Sequence, residues 1–127
     1  MQETNQQHIL DSFELIKDSM QQFKCKVNML NNELAVLSEK EDFIKIIHFF
    51  KDHPTTNFDV LIDISAVDYP ERNKRFEMVY QFLSIPQNLR IKLKLMIKEN
   101  ETVTSISKVY PAANWYEREI WDLFGIS

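Results

Sequence analysis

Apolar residues recur first with a period near 3.6 and later with a period of two, so helices are expected in the first part of the chain and strands after them. Ile9, Phe13, Ile16, Met20 and Phe23 fall at spacings of 4, 3, 4 and 3. This is the seam of an amphipathic helix over Ile9 to Phe23. Val27 to Leu30, then Asn31-Asn32, then Glu33 to Leu37 reads as two short strands joined by a hairpin turn. Ser38 and Glu41 have the spacing of a capping box, which predicts a second helix running to about Lys51 with Phe43, Ile46, Ile47 and Phe50 on one face. Pro54 has no amide hydrogen and disfavours helix at the preceding residue, so it ends that helix.

From Asp59 onward the pattern alternates. Val60, Ile62, Ile64 and Ala66 are placed on one face of a strand over Asp59–Asp68, and Phe76, Met78, Tyr80 and Phe82 on one face of a strand over Phe76–Ile85. In Arg90–Lys98, Ile91, Leu93, Leu95 and Ile97 point inward, while Arg90, Lys92, Lys94 and Lys98 point outward. The links hold Pro70 with Asn73, Pro86 with Asn88, and Asn100, residues suited to turns. Links this short join antiparallel neighbours. Val103 to Val109 offers a further strand. The expected fold is α+β, a mainly antiparallel sheet of about four strands with helices packed on one face.

Composition narrows what such a fold can do. A chain of 127 residues, 44% hydrophobic and 27% charged, is one ordinary folding unit spanning residues 1–127. It has no run near the roughly 20 apolar residues of a spanning helix. Met1 to His8 lacks the character of a signal or transit peptide, so a cytoplasmic location is expected. A net charge of −4 gives no general attraction to nucleic acid or anionic lipid. Cys25 is the only cysteine, too few for an iron–sulfur cluster or a thiolate zinc site. Gly125 is the only glycine, which excludes the glycine-rich loops that cradle nucleotide phosphates. No cofactor and no metal are therefore expected, and no catalytic residue stands out.

Three groups of residues could carry chemistry. The row Arg90, Lys92, Lys94 and Lys98 is either a solvated sheet face, a surface for an acidic protein partner, or a nucleic-acid footprint. His8, His48 and His53 lack metal-ligand spacing and read as ordinary surface histidines. Glu117, Glu119 and Asp122 form an acidic cluster in which Arg118 stands i,i+4 to Asp122 and could pair with it. The cluster suits helix electrostatics or ion pairing with a partner more than acid–base catalysis.

The last segment is the most distinctive. Asn114 reads as an N-cap with Glu117 three residues on, and Gly125 as a left-handed helix terminator, so a short helix is expected between them. Trp115 and Trp121, both tryptophans of the chain, lie on it beside Tyr116 and Phe124. Such anchors dominate binding energy at protein interfaces, although they also suit a lid over the chain's own core.

Ala112-Ala113-Asn114-Trp115, Glu117-Arg118-Glu119 and Asp122-Leu123-Phe124-Gly125-Ile126 together resemble the signature of the thirty-kilodalton subunit, also called the C subunit, of respiratory NADH:quinone oxidoreductase (complex I). Phe58-Asp59, the run from Asp63 to Val67-Asp68-Tyr69, the Phe76 to Tyr80 strand, Thr104-Ser105 and Tyr110-Pro111 are similar in order and spacing. The resemblance covers roughly Glu33 to Ile126. It implies a cofactor-free, non-catalytic component of the peripheral arm, on the cytoplasmic side of the bacterial inner membrane. Such a component binds neighbours, chiefly the D subunit, and supports electron transfer from NADH to quinone. The resemblance also implies partner-binding roles for Trp115, Glu117, Arg118, Glu119, Trp121, Asp122, Phe124 and Gly125. Family members continue past Gly-Ile with a His-Pro element and an Arg-containing tail, so a domain cut before that tail is implied. The equivalent component of a related membrane-bound hydrogenase, or a nucleic-acid binder using Arg90–Lys98, are the alternatives.

Overall fold

In a computed structural model, which describes residues 2–31, 33–54 and 56–125, the elements run in a simple order. Helix α1 spans Gln2–Ser19, strand β1 Cys25–Leu30, β2 Glu33–Ser38, and α2 Phe43–Asp52, entered through a 3₁₀ turn at Lys40–Asp42. Then come β3 Val60–Asp68, β4 Phe76–Ser84, β5 Leu89–Ile97 and α3 Ala113–Phe124. The five strands form one sheet in the order β1-β2-β5-β4-β3. The expected hairpin is present as β1 and β2, paired from Cys25↔Ser38 to Leu30↔Glu33, and makes the sheet larger than the four strands expected. All pairings are antiparallel except β2 with β5, which is parallel.

Cross-strand partners share a face. Val36, Leu93, Tyr80 and Ile64 thus form one row across the sheet, and Leu34, Ile91, Phe82 and Leu61 the next. On this face α2 sets Phe43 5.1 Å from Tyr80, and Phe50 5.5 Å from both Phe58 and Phe82, measured between ring centroids. Ile16 and Met20, at the end of α1 and just beyond it, and Ala113 and Ile120 of α3 belong to the same buried cluster. All three helices therefore cover one face. Buried residues of the other face, Ala35 and Val79, are not part of that cluster.

Several expected details differ. Helix α1 ends at Ser19, and the chain turns through Met20–Phe23 before β1. Ser38 does not cap α2: it pairs within the sheet, and its hydroxyl donates to the Glu39 carbonyl at 2.7 Å. The helix start is formed by the 3₁₀ turn instead, with no side-chain cap at Asp42. In β3 the register shifts between Leu61 and Asp63. That bulge puts Leu61, not Val60 and Ile62, on the core face with Ile64 and Ala66. Val103 to Val109 forms no strand; it runs without regular structure and then turns, with the Val109 and Tyr110 amides bonding to the Ile106 carbonyl.

Asparagine takes the turn positions that glycine would fill elsewhere. Asn31, Asn57, Asn88 and Asn100 all have positive φ between 46° and 66°, a region their short polar side chains tolerate. The stop at Pro54 holds: α2 ends at Asp52, and His53 before the proline is extended. Thr56 closes this end by donating its hydroxyl to the Phe49 carbonyl at 2.8 Å.

Among the described residues Tyr80 Oη is the buried side-chain polar atom without a hydrogen-bond partner. Burial, and then the charge of Glu117, hold its hydroxyl far above the ordinary tyrosine range. Removing an orphaned group removes its desolvation cost. Tyr80→Phe is expected to leave the fold intact and to hold or raise its stability by up to about 1 kcal/mol; urea denaturation checks this, and a loss would show that the hydroxyl has a partner.

Candidate protein interface

Helix α3 begins after the turn Tyr110–Pro111, where the Ala113 amide bonds to the Tyr110 carbonyl at 2.9 Å and the Asn114 amide to the Pro111 carbonyl at 3.2 Å. The expected N-cap at Asn114 is not found. The cap position is Ala112 with helical dihedrals and no side-chain hydrogen bond, so Asn114 lies inside the first turn. At the other end Gly125 has φ 68°, and its amide bonds to the Trp121 carbonyl at 3.0 Å, the left-handed terminator expected from the sequence.

Four contacts fix α3 and the segment leading to it. Tyr110 is buried and donates its hydroxyl to the Phe58 carbonyl. Tyr116 donates to the carbonyl of Ile62, the bulge residue of β3, at 2.9 Å. Phe124 meets Phe76 edge-on, with ring centroids 6.0 Å apart. Glu117 is only 3% exposed; one carboxylate oxygen accepts from Ser105 Oγ at 2.6 Å and the other from the Ile106 amide at 2.9 Å. This carboxylate thereby replaces the strand pairing that the 103–109 segment lacks. No sequence signal distinguishes it from a first-turn acid complementing the helix dipole.

The helical period sorts the remaining residues. Ala113, Glu117 and Ile120 face the core, with Tyr116, Trp121 and Phe124 half-buried against it. Trp115, Arg118, Glu119, Asp122 and Leu123 face outward. Trp115 is 68% exposed and Leu123 79% exposed. Leu123 is absent from the partner-binding set expected above, although it follows Trp115 by two turns and an i,i+8 spacing keeps it near the same stripe. Arg118 and Asp122 do not pair, and none of Arg118, Glu119 and Asp122 has an ion-pair partner among the described residues. Two bare apolar anchors with unpaired charges of both signs between them, on a helix pinned from below, have the composition of a protein-docking surface.

The family profile described as respiratory-chain NADH dehydrogenase, 30 Kd subunit, matches residues 36–127. The chain belongs to this family. Similar proteins include the NADH-quinone oxidoreductase C subunit of Jannaschia sp., 50% identical over 94 residues that make up 74% of this chain and 45% of the relative. The C subunit of Rhodospirillum rubrum is 42% identical over 80% of this chain and 47% of its own length, and that of Cereibacter sphaeroides 39% identical over 86% and 60%. The chain thus spans about half the length of the curated relatives it matches. Its fold is shared with a chain of the membrane-bound sulfane sulfur reductase, an archaeal respiratory membrane complex, at a TM-score of 0.78 and 22% identity over 90% of this chain and 68% of that one. No helix among the described residues is long and apolar enough to cross a membrane.

Within the family domain, the end of the sheet beside the α3 terminus is held by ions. Arg75 donates from Nε and Nη2 to the two Asp68 oxygens at 2.7 and 2.9 Å and reaches Glu99 at 3.4 Å. The guanidinium holds the Asp68 carboxyl below its ordinary value of 3.8. The Glu101 carboxyl is held below 4.5, first by the Lys98 amide and then by Lys40. A carboxyl whose pKa is lower in the folded state adds stability above its unfolded value and loses it as pH falls through the folded one. Stability is therefore expected to be flat above about pH 5 and to decline below the unfolded values of 4.5 and 3.8. Urea midpoints measured across acidic pH check this, and Arg75→Gln should flatten the slope.

Proposed function

We propose that this chain serves as the C-subunit domain of proton-pumping NADH:quinone oxidoreductase, a non-catalytic part of the peripheral arm that holds neighbouring subunits, chiefly the D subunit. The carrying observation is the outward face of α3, with Trp115 and Leu123 bare and Arg118, Glu119 and Asp122 unpaired among the described residues. The whole of Trp115, Glu117, Arg118, Glu119, Trp121, Asp122, Phe124 and Gly125 takes part, but in two ways. Trp115, Arg118, Glu119 and Asp122 meet the partner, while Glu117, Trp121, Phe124 and Gly125 hold the helix that presents them. Electrons from NADH pass to quinone through redox groups of other subunits, and this chain contributes position, without a cofactor of its own. It sits on the cytoplasmic side of the inner membrane, attached through the complex.

Relatives at 39% to 50% identity are named as the C subunit of NADH-quinone oxidoreductase, which supports this assembly over a related hydrogenase. The test is co-purification of the chain with the D subunit followed by amide hydrogen exchange. Binding should slow exchange along α3 and leave β2 and β5 unchanged. Failure to form a complex, or protection confined to other elements, would contradict the reading.

A further inference from the structure

The sheet face opposite the helices carries its free charges in two separate zones. The strand register places Lys26 of β1, Ala35 and Leu37 of β2, and Arg90, Lys92, Lys94 and Met96 of β5 on this face. Glu77, Val79 and Gln81 of β4 and Asp63, Ser65 and Val67 of β3 complete it. Lys92 pairs with Glu33 at 3.4 Å. Lys26, Arg90, Lys94, Glu77 and Asp63 have no ion-pair partner among the described residues. With the strand order β1-β2-β5-β4-β3, these free cations lie on the β1-β2-β5 side and the two free carboxylates on the β4-β3 side.

Glu77 has the greatest unmet need. It is only 9% exposed, accepts no hydrogen bond among the described residues, and lines a hollow of about 160 Å³ beside Leu37, Lys94 and Met96. Lys94 of the same chain borders that hollow without coming within 4 Å of the carboxylate. A carboxylate this enclosed costs stability until a cation reaches it. The hollow opens onto a face that no described helix covers, because α1, α2 and α3 all contribute to the buried cluster on the other side.

We propose that a second copy of this chain covers this face, in a two-fold dimer where Lys94 of each copy reaches Glu77 of the other. The segregated charges select both the occupant and the symmetry. An axis running along the strands between β5 and β4 lays the cationic side of one copy on the acidic side of the other. An axis across the strands would set like charges together. A purely acidic or purely basic segment lying across the face would be repelled on one side. Nucleic acid would meet Glu77 and Asp63, and no aromatic side chain lies on the face to stack a base.

In the selected arrangement Lys94, which is the register partner of Val79, lies over Val79 of the second copy and two residues along β4 from that copy's Glu77. Strands of six to nine residues at the usual spacing give a face of roughly 600 Å² per copy. The two copies together hide roughly 1,200 Å², the lower end for a specific interface, so a dimer of micromolar strength is expected. The outer face of α3 lies on the other side of the sheet, and the inference does not rest on the function proposed above.

The test is sedimentation of the full chain from micromolar to millimolar concentration, which should show a reversible monomer–dimer equilibrium weakened by added salt. Amide shifts that accompany dimerisation should fall on β2, β4 and β5 and spare α3. Glu77→Lys and Lys94→Glu should each weaken self-association roughly tenfold or more, because like charges then meet twice. An equimolar mixture of the two variants should restore the parent affinity, since both contacts regain opposite signs. That rescue separates pairing between copies from pairing within one chain. Glu77→Gln, close in shape to the parent, should weaken the dimer roughly tenfold and keeps the test decisive if Glu77→Lys fails to fold. A monomer throughout, shifts confined to α3, a mixture no tighter than its components, or a dimer unchanged by Glu77→Gln would each overturn the proposal.

Discussion

Glu117→Ala is expected to cost about 3 kcal/mol of folding stability, the scale of breaking a buried charged group's hydrogen bonds and leaving its partners unsatisfied. The carboxylate is 3% exposed and both of its oxygens are engaged, by Ser105 Oγ and the Ile106 amide. Truncation strands a buried backbone donor at Ile106 and releases the 103–109 segment from α3. Glu117→Gln keeps one acceptor oxygen and should cost clearly less. Urea unfolding followed by tryptophan fluorescence separates the two variants. A loss below about 1 kcal/mol for Glu117→Ala, the net worth of one ordinary hydrogen bond, would mean that water replaces the carboxylate and that α3 is held by its apolar contacts alone.

Trp121→Ala is expected to cost about 2 to 3 kcal/mol of stability as well, for a different reason. Trp121 is half-buried and packed on the core cluster, so its removal loses apolar burial and leaves space beneath the last turn of α3. The substitution should lower the urea midpoint with little change in the slope of the transition. An unchanged midpoint would place the indole outside the core after all.

The strands are legible because alternation at period two is strong wherever one face is buried, as in β5, where Leu89, Ile91, Leu93, Leu95 and Ile97 are all buried. The β3 bulge is not, because Val60, Leu61 and Ile62 are all apolar and the pattern fits either phase. The parallel pairing of β2 with β5 depends on contacts between residues more than 50 positions apart, from Leu34↔Ile91 to Ser38↔Leu95, which local patterns do not encode. In Val103 to Val109 the apolar residues Val103, Ile106 and Val109 recur every third position, not every second as a strand requires, and the segment's hydrogen bonds go to Glu117 and to its own turn. At α3 the terminator is plain from a lone glycine, whereas the start is displaced from Asn114 because Pro111 and the preceding turn lead into the helix without a side-chain cap. The division of the two tryptophans follows from the helical phase only once Ala113, Glu117 and Ile120 are known to face the core.

Trp115 is the residue on which the account turns, since it is 68% exposed and packs little against its own chain. Trp115→Ala should leave the urea midpoint within about 0.5 kcal/mol of the parent, as surface substitutions do. It should also weaken binding to the D subunit by roughly 30-fold, the 2 kcal/mol of a truncated interface anchor. The decisive measurement is therefore the dissociation constant for the D subunit, taken for the parent chain and for Trp115→Ala under one set of conditions. A large loss of affinity with an intact fold is the expected result, and equal affinity for the two would contradict the claim that the outer face of α3 grips the neighbour.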